Sequence, residues 1–229
     1  MQHSVDCLVR VLESYRGRDK VIRTLCYGSQ LVGGIISRKA EADASSHNLG
    51  KSLLLFSAQL SHCRTVLRLF DDMSMLAYSY SYGFGAKEKD GITRWISVLT
   101  NVADQLYYPC EHVAWAADSH LLGVKSDRWW VVSTVLWATS LLSSVLWGFK
   151  RDFTHTSGHS QIDRQMQVEL LSILGCMADF MNAIHWMPHG FLWAGRFPPW
   201  LVGLMGTISS VVGLIKMKEG DFAQTCSAE

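Results

Sequence analysis

The sequence of 229 residues is short of charge, since Asp, Glu, Lys and Arg make up only 18% of it. A typical soluble domain has about 25%. The formal net charge is +1, so the chain as a whole has no strong attraction for nucleic acid, and we expect no nucleic-acid partner. The six cysteines are far apart and form no Cys-x-x-Cys pair. This spacing indicates neither a disulfide framework nor a zinc site.

Several sorting and catalytic signals are also missing. The glycosylation sequence Asn-x-Ser/Thr does not occur, so nothing indicates a secretory glycoprotein. Asp6, Arg10 and Glu13 interrupt the apolar region that an N-terminal signal peptide needs, and we expect none. There is no GxSxG nucleophile elbow and no Walker loop. We therefore expect neither an enzyme nor a bound cofactor.

Histidine spacing gives little support for a metal site. Two pairs of histidines are four residues apart, which on a helix can hold a metal: His155 with His159, and His185 with His189. Gly158 and Pro188 interrupt these pairs, and no acidic residue stands where a third ligand is needed. We expect no metal ion, and we interpret the adjacent acidic residues Asp71 and Asp72 as a solvated helix end.

What the chain does have is long uncharged apolar segments, of which residues 129–149 form the most prominent. This segment holds 21 residues without an ionisable side chain. As a helix it is roughly 32 Å long, about the thickness of the hydrocarbon core of a bilayer. Tryptophans and basic residues flank it, as they flank transmembrane helices. The segment predicts a membrane span; the alternative is a central helix of a soluble bundle, which seldom stays uncharged on every face.

A second uncharged segment, residues 198–215, has 18 residues and would measure roughly 27 Å as a helix. We predict that it also spans the membrane. Small residues lie four apart in it, which lets membrane helices pack closely: Gly206 with Ser210, and Ser209 with Gly213. We expect Gly206, Ser210 and Gly213 to pack two copies of the chain together. The alternative is that glycine is simply common in membrane helices.

Residues 51–77 carry an apolar stripe at helical spacing. Its members recur at steps of three and four: Leu53, Phe56, Leu60, Cys63, Leu67 and Phe70. Arg64 and Arg68 flank the stripe, one turn apart. Two alternatives are open. The stripe is the core face of a helical bundle, or it lies in the membrane plane with its side chains about 5–10 Å deep and the arginines on lipid phosphates.

These patterns together predict an all-α membrane protein with two transmembrane helices. Residues 1–125 are expected to form an amphipathic, membrane-associated helical region, and residues 126–229 the membrane region. Residues 166–187 are expected to form a helix that lies on the membrane or re-enters it shallowly, because Glu169 and Asp179 interrupt its apolar content.

Turn residues predict where the other helices begin and end. A first helix is expected over residues 4–16 and is broken at Gly17, and a second is expected from Asp19 to about Ser37. Residues 38–50 are interpreted as an exposed loop and residues 85–91 as a loop between two glycines. The tyrosines of residues 78–85 are interpreted as loop or interface residues. Pro109 is expected to end or kink the helix over residues 92–108.

Two short runs carry the resemblance to a known family. Residues 12–23 read LESYRGRDKVIR, and residues 63–70 read CRTVLRLF with the two arginines. Together with the two spans, they resemble the peroxisomal membrane protein 11 family, and in particular its gamma branch. The family motif at the centre of the first run is Gly17, Arg18, Asp19 and Lys20.

The resemblance implies a multi-pass peroxisomal membrane protein with both termini in the cytosol. It implies a role in membrane remodelling, namely elongation before fission and control of peroxisome number. The implied partners are the phospholipid membrane, further copies of the chain as a homo-oligomer, family paralogues and proteins of the fission machinery.

The mechanism that we predict is a wedge. The stripe inserts into one leaflet, which gains area and bends the membrane; the inserting residues are Leu53, Phe56, Leu60, Leu67 and Phe70. Burying one Leu or Phe contributes about 1.5–3 kcal/mol, so many copies have to gather to shape a tubule. Two rivals stay open: a pore or carrier for small metabolites that uses Glu169 and Asp179, and an adaptor that recruits fission factors without deforming the membrane.

Overall fold

The computed structural model describes residues 9, 11–39, 44–83, 90–154 and 160–226, and among these residues it has helices and no strand. Seven long helices run through the described part of the chain: α1 (Tyr15–Lys39), α2 (Ala44–Arg68), α3 (Asp72–Tyr82), α4 (Gly91–Asp118), α5 (Ser126–Thr154), α6 (Ser160–His185) and α7 (Pro199–Cys226). The predicted all-α fold is confirmed.

The helices form two compact units. The first combines Met1–Leu67 with Phe197–Glu229, and the second is Arg68–Arg196. The first unit thus joins the helices α1 and α2 to the last helix α7, and the second contains α3 to α6. The expected division at residue 125 concerns association with the membrane, which these packing units do not decide, and it stays a prediction.

In the first unit, α1 packs against α7 with almost no space between the two backbones. A Cβ atom added at Gly203 would lie 2.3 Å from the backbone nitrogen of Leu31, and one added at Gly34 would lie 2.4 Å from the backbone nitrogen of Trp200. Only glycine allows backbones to approach so closely. Because Gly34 meets the start of α7 and Leu31 meets a later residue, the two helices are antiparallel.

In the second unit, α4 and α5 form an antiparallel hairpin. The indole Nε1 of Trp130 donates a hydrogen bond of 2.7 Å to Asp118 at the end of α4. At the other end of the hairpin, Lys150 pairs with Asp90, which caps the start of α4. Hydrogen bonds from Lys150, from the Thr93 hydroxyl and from the Ile92 N–H together lower the pKa of the Asp90 carboxyl to about 2. This carboxylate therefore stays charged at any cellular pH.

Three helices among the described residues are long and apolar enough to cross a membrane: Ser126–Lys150, Met166–His185 and Pro199–Met217. Two of them are the predicted spans. The third is the segment that we expected to lie on the membrane or re-enter it shallowly. The described residues thus contain three candidate spans, one more than the two that the sequence predicted. It packs against α5, where Trp186, just beyond α6, stacks on Trp137 with ring centroids 5.7 Å apart.

The predicted break at Gly17 is wrong, because α1 begins at Tyr15 and runs through this glycine to Lys39. The Ser14 hydroxyl accepts a hydrogen bond of 3.0 Å from the Gly17 N–H and thereby supports the first turn. The predicted loop 38–50 is also too long, since α2 already begins at Ala44. Residues 4–8 and 10 of the predicted helix over residues 4–16 lie outside the described residues.

The tyrosine-rich segment at residues 78–82 belongs to α3 and is not a loop. Its low intrinsic preference for helix is offset by packing on α4: the Ser79 hydroxyl lies 2.7 Å from Asn101 Oδ1 and 3.0 Å from Gln105 Oε1. Helix α4 itself continues through Pro109 and does not end there. Neighbouring helices can compensate for the hydrogen bond that proline removes.

Candidate membrane-association site

The structure divides the predicted stripe between two environments. A Cβ atom added at Gly33 of α1 would lie 2.9 Å from Leu53 Cβ, so Leu53 faces α1. Leu60 and Leu67 are half-buried. Phe56 is 49% exposed, and Phe70, which lies in the turn after α2, is 74% exposed. Leu53 therefore belongs to the contact between α1 and α2, whereas the two phenylalanines are exposed.

Sequence reasoning missed most of the apolar surface that α2 exposes. We define the outward face of α2 by its exposed large apolar residues: Leu49, Leu55, Phe56 and Val66. Leu55 is 68% exposed and lies outside the predicted stripe. Periodicity alone could not find it, because the packing of α2 on α1, with Ser57 buried against Cys26, decides which face points outward.

The family motif and the arginine-bearing run meet in one ion pair. Nε of Arg64 lies 2.9 Å from Oδ1 of Asp19, and the two side chains are mostly buried. Charge-assisted hydrogen bonds of this length are among the stronger ones in proteins. The arginine that we expected on a lipid phosphate is thus neutralised inside the first unit, and it holds α2 to α1.

Breaking this pair from either side is expected to destabilise the first unit. Asp19→Asn and Arg64→Gln should each lower the free energy of unfolding by about 1.5–3 kcal/mol, the range for hydrogen bonds to charged groups. The double variant should lose little more than either single variant, because both remove the same bond. Thermal unfolding of the purified protein in detergent measures this. If Arg64 serves only lipid, Asp19→Asn will leave the transition unchanged.

The other residues of the motif lie where helices meet. A Cβ atom at Gly17 would lie 2.0 Å from the Val11 carbonyl oxygen, so this turn requires glycine. The Lys20 side chain passes over Gly213 of α7, with Nζ 3.2 Å from the position of an added Cβ. Arg18 is exposed. Together with Asp19, the motif thus joins α1 to both of its neighbours.

The small residues of α7 pack within the chain. A Cβ atom at Gly206 would lie 2.2 Å from the Tyr27 ring, and Ser210 is fully buried and donates a 2.6 Å hydrogen bond to the Gly206 carbonyl. The Arg23 guanidinium donates to the Ser209 hydroxyl at 2.8 Å. The face that we expected to join two copies therefore packs against α1. Contact with a second copy through it requires α1 to move aside.

Arg68 also binds a carboxylate of its own chain. Its Nε and Nη2 donate to the two oxygens of Glu111 at 2.8 and 2.5 Å. Glu111 is 3% exposed and accepts a further hydrogen bond from Tyr107. Beside it, His112 Nδ1 lies 2.9 Å from Asp72 Oδ2. The bidentate pair of Arg68 and Glu111 fixes the start of the second unit against α4.

The described part of the chain contains no group of three or more His, Cys, Asp or Glu residues that could hold a metal ion. His155 and His159 lie outside the described residues. The His189 ring lies against Gly195, with its Cε1 2.2 Å from the position of an added Cβ. On α6, Asp179 is buried and Glu169 is half-buried.

The fold and its apolar surface define an all-α membrane protein. Comparison with known proteins gives the family: the sequence model of the family "Peroxisomal biogenesis factor 11 (PEX11)" matches residues 5–218. The chain belongs to this family, as its two motifs predicted. It is therefore a member of a family of peroxisomal membrane biogenesis factors rather than of an enzyme family.

Two curated relatives agree with this assignment. "Peroxisomal membrane protein 11C" of Homo sapiens is 52% identical over 227 residues, which cover 92% of this chain and 93% of the human protein. The protein of the same name from Mus musculus is 51% identical over 222 residues, with 90% of each chain covered. No solved structure matches the chain.

Proposed function

We propose that this protein elongates the peroxisomal membrane before fission and so helps to set the number of peroxisomes. Membership of the biogenesis family supports the process. The observation that carries the mechanism is the outward face of α2, where Leu55 and Phe56 are exposed side by side although their neighbours Leu53 and Ser57 meet α1. An exposed apolar patch of this kind favours contact with lipid or with another protein.

In this proposal the first unit presents α2 already folded. The contacts of Leu53 with α1 and of Arg64 with Asp19 fix the orientation of the helix, so insertion orders few additional groups. Leu55 and Phe56 each contribute about 1.5–3 kcal/mol when they leave water. Insertion adds area to one leaflet only, and the membrane bends.

In this proposal, lipid phosphates contribute less to membrane binding than the sequence positions of Arg64 and Arg68 indicated. A phosphate reaches Arg64 only by displacing Asp19, and it reaches Arg68 only by displacing Glu111. Removing one partner of such a pair leaves a charge with little compensation. The apolar side chains therefore carry most of the binding, and we expect a weak dependence on salt.

A pair of charged substitutions tests the wedge. Leu55→Glu with Phe56→Glu should abolish peroxisome elongation on overexpression in cells, because two carboxylates on the outward face of α2 oppose insertion. The variant should still resist carbonate extraction, since the candidate spans are unchanged. Both side chains point outward, so the fold should tolerate them better than glutamate at the half-buried Leu60 or Leu67.

The matched control is Ser61→Glu, which adds a carboxylate at an exposed position on another side of α2. It should leave elongation unchanged. Normal elongation by the double glutamate variant would overturn the wedge, and loss of elongation by the control as well would show that any added charge on α2 interferes.

The proposal includes the partners and the orientation that the family suggests. Both termini face the cytosol, copies associate with one another and with family paralogues, and the cytosolic surface recruits proteins of the fission machinery. Tagged copies should co-precipitate from detergent extracts, and tags at both termini should be digested by protease on intact peroxisomes. Protection of either tag would contradict the orientation.

One observation keeps a second candidate function open. Asp179 is buried on α6, which is itself a candidate span, and a carboxylate inside a membrane helix is typical of transport pathways. A carrier for small metabolites would show solute flux in reconstituted vesicles, and Asp179→Leu would abolish it. Equal flux with and without this substitution would exclude the role of Asp179.

A further inference from the structure

Helix α4 lies beside a candidate span along its full length. Its partner in the hairpin is α5, in which Ser126–Lys150 is long and apolar enough to cross a membrane. Trp130 reaches Asp118 at one end of the hairpin, and Lys150 reaches Asp90 at the other. An antiparallel neighbour that is in contact at both ends covers the same depth. If α5 crosses the bilayer, α4 therefore lies at the same depth in the bilayer.

The side of α4 that faces away from the unit is apolar. Its exposed residues recur at steps of three and four along most of the helix, and we call them the outer face of α4: Ile92, Trp95, Leu99, Val102 and Leu106. Trp95 is 75% exposed and Leu99 is 52% exposed. From Trp95 to Leu106 every exposed side chain is apolar. A helix of a soluble protein carries polar residues on this side.

From Ser97 to His112, every polar residue of α4 is buried or half-buried. Asn101 is buried and is bonded by the Ser79 hydroxyl, and Glu111 is buried and is bonded by Arg68. The Asp104 carboxyl is hydrogen-bonded to Ser140 of α5. Polar groups inside and apolar groups outside are the arrangement that a lipid environment favours.

We propose that α4 crosses the bilayer antiparallel to α5, with its outer face against lipid acyl chains. The inference rests on α5 being a span and is independent of the wedge. Asp90 and Glu111 are 21 residues apart, which is roughly 32 Å of helix and matches the hydrocarbon core. Arg94 is exposed one turn from the Asp90 end, where a long cation can reach the headgroups.

Lipid is the occupant that the neighbouring helices indicate. The candidate spans of α5 and α6 also expose large apolar residues along their length, among them Val135, Leu142 and Leu146 on α5, and Leu170 and Leu174 on α6. The outer face of α4 is a further apolar surface of the same unit. Hydropathy alone does not find α4, because its inward polar residues lower the average for the whole helix.

Two glycines allow the sidedness of α4 to be measured. A Cβ atom added at Gly91 or at Gly123 has no heavy atom within 4 Å, so cysteine fits at both ends of α4. In a full-length chain whose native cysteines are replaced by serine or alanine, we would compare Gly91→Cys, Gly123→Cys and Gly158→Cys. A membrane-impermeant maleimide is applied to intact and to permeabilised peroxisomes.

The proposal requires the cysteines at 91 and 123 to lie on opposite sides of the membrane, with that at 158 on the side of 91. Either the cysteine at 123 or the cysteines at 91 and 158 then react in intact organelles. The remaining position or positions react only after permeabilisation. If 91 and 123 react alike, α4 does not cross, whether it lies on the surface or is covered by a partner protein. That result would overturn the proposal and leave the wedge untouched.

A second measurement does not need the cysteine-free chain. A site for a sequence-specific protease is inserted after Gly83 or after Gly123 in the native sequence, and intact peroxisomes are treated with the protease. Cleavage at only one of the two sites, and at both after detergent is added, is the expected result. Cleavage at both sites, or at neither, before detergent is added contradicts a crossing by α4.

Discussion

Replacing Gly203 by alanine is expected to force α1 away from α7 and to cause a large loss of stability in the first unit. The added Cβ would lie 2.3 Å from the backbone nitrogen and 2.7 Å from the Cα of Leu31. These are backbone atoms of a helix, so they cannot move away as a flexible side chain can. Overpacking typically costs about 1–3 kcal/mol, and Gly203→Leu should exceed that range.

Gly28→Ala is the matched control for this experiment. Gly28 also lies within a helix of the first unit, but a Cβ atom added there has no heavy atom within 4 Å. Alanine at this site should leave stability unchanged or raise it by about 0.5–1 kcal/mol, because alanine is the better helix former. Thermal unfolding in detergent compares the two variants. Equal transitions for both would contradict the close approach of α1 to α7.

Stability also has to be measured before any variant of α7 is used to test self-association. Gly206→Leu should destabilise the monomer, since the added side chain would enter the Tyr27 ring. Loss of co-precipitation would then be a secondary effect of misfolding. A variant at Gly206 that unfolds like the native protein and yet no longer co-precipitates would show that this face joins two copies.

The second large effect is expected at the pair formed by Arg68 and Glu111. Glu111→Leu leaves the guanidinium of Arg68 without its two hydrogen-bond acceptors in a mostly buried position. Removing one partner of a buried ion pair costs about 3–5 kcal/mol. Glu111→Gln keeps acceptor capacity for Arg68 and should cost less. Denaturant or thermal unfolding in detergent measures the loss.

The double variant Arg68→Met with Glu111→Leu should recover much of the loss, because an apolar pair needs no compensation for a buried charge. Recovery distinguishes a pairing role from a role in lipid binding. If Arg68→Met alone leaves stability unchanged and weakens binding to anionic vesicles, the arginine contacts lipid phosphate and the ion pair is incidental.

The sequence predicted the parts of this fold that are set by local composition. An uncharged run such as 129–149 needs no partner to be recognised, because its length and its flanking tryptophans suffice. The family motifs were recognised for the same reason. Both depend on residues that are adjacent in the chain.

The parts that the sequence did not predict depend on residues far apart in the chain. The tyrosine segment lies in helix α3, where the Ser79 hydroxyl donates to Asn101 Oδ1 of α4. Arg64 pairs with Asp19, which is 45 positions away in sequence but adjacent in space. Gly203 and Leu31 likewise meet from opposite ends of the sequence. Periodicity shows that a helix has a face, but only the packing shows what covers it.

We infer that the apolar helices, Ser126–Lys150 first among them, lie among lipid tails. Extraction of isolated peroxisomes with alkaline carbonate tests it most directly, because this treatment releases peripheral proteins and retains those embedded in the bilayer. We expect the full-length protein to remain in the membrane pellet and to be released only by detergent. Recovery of the protein in the carbonate supernatant would contradict the account.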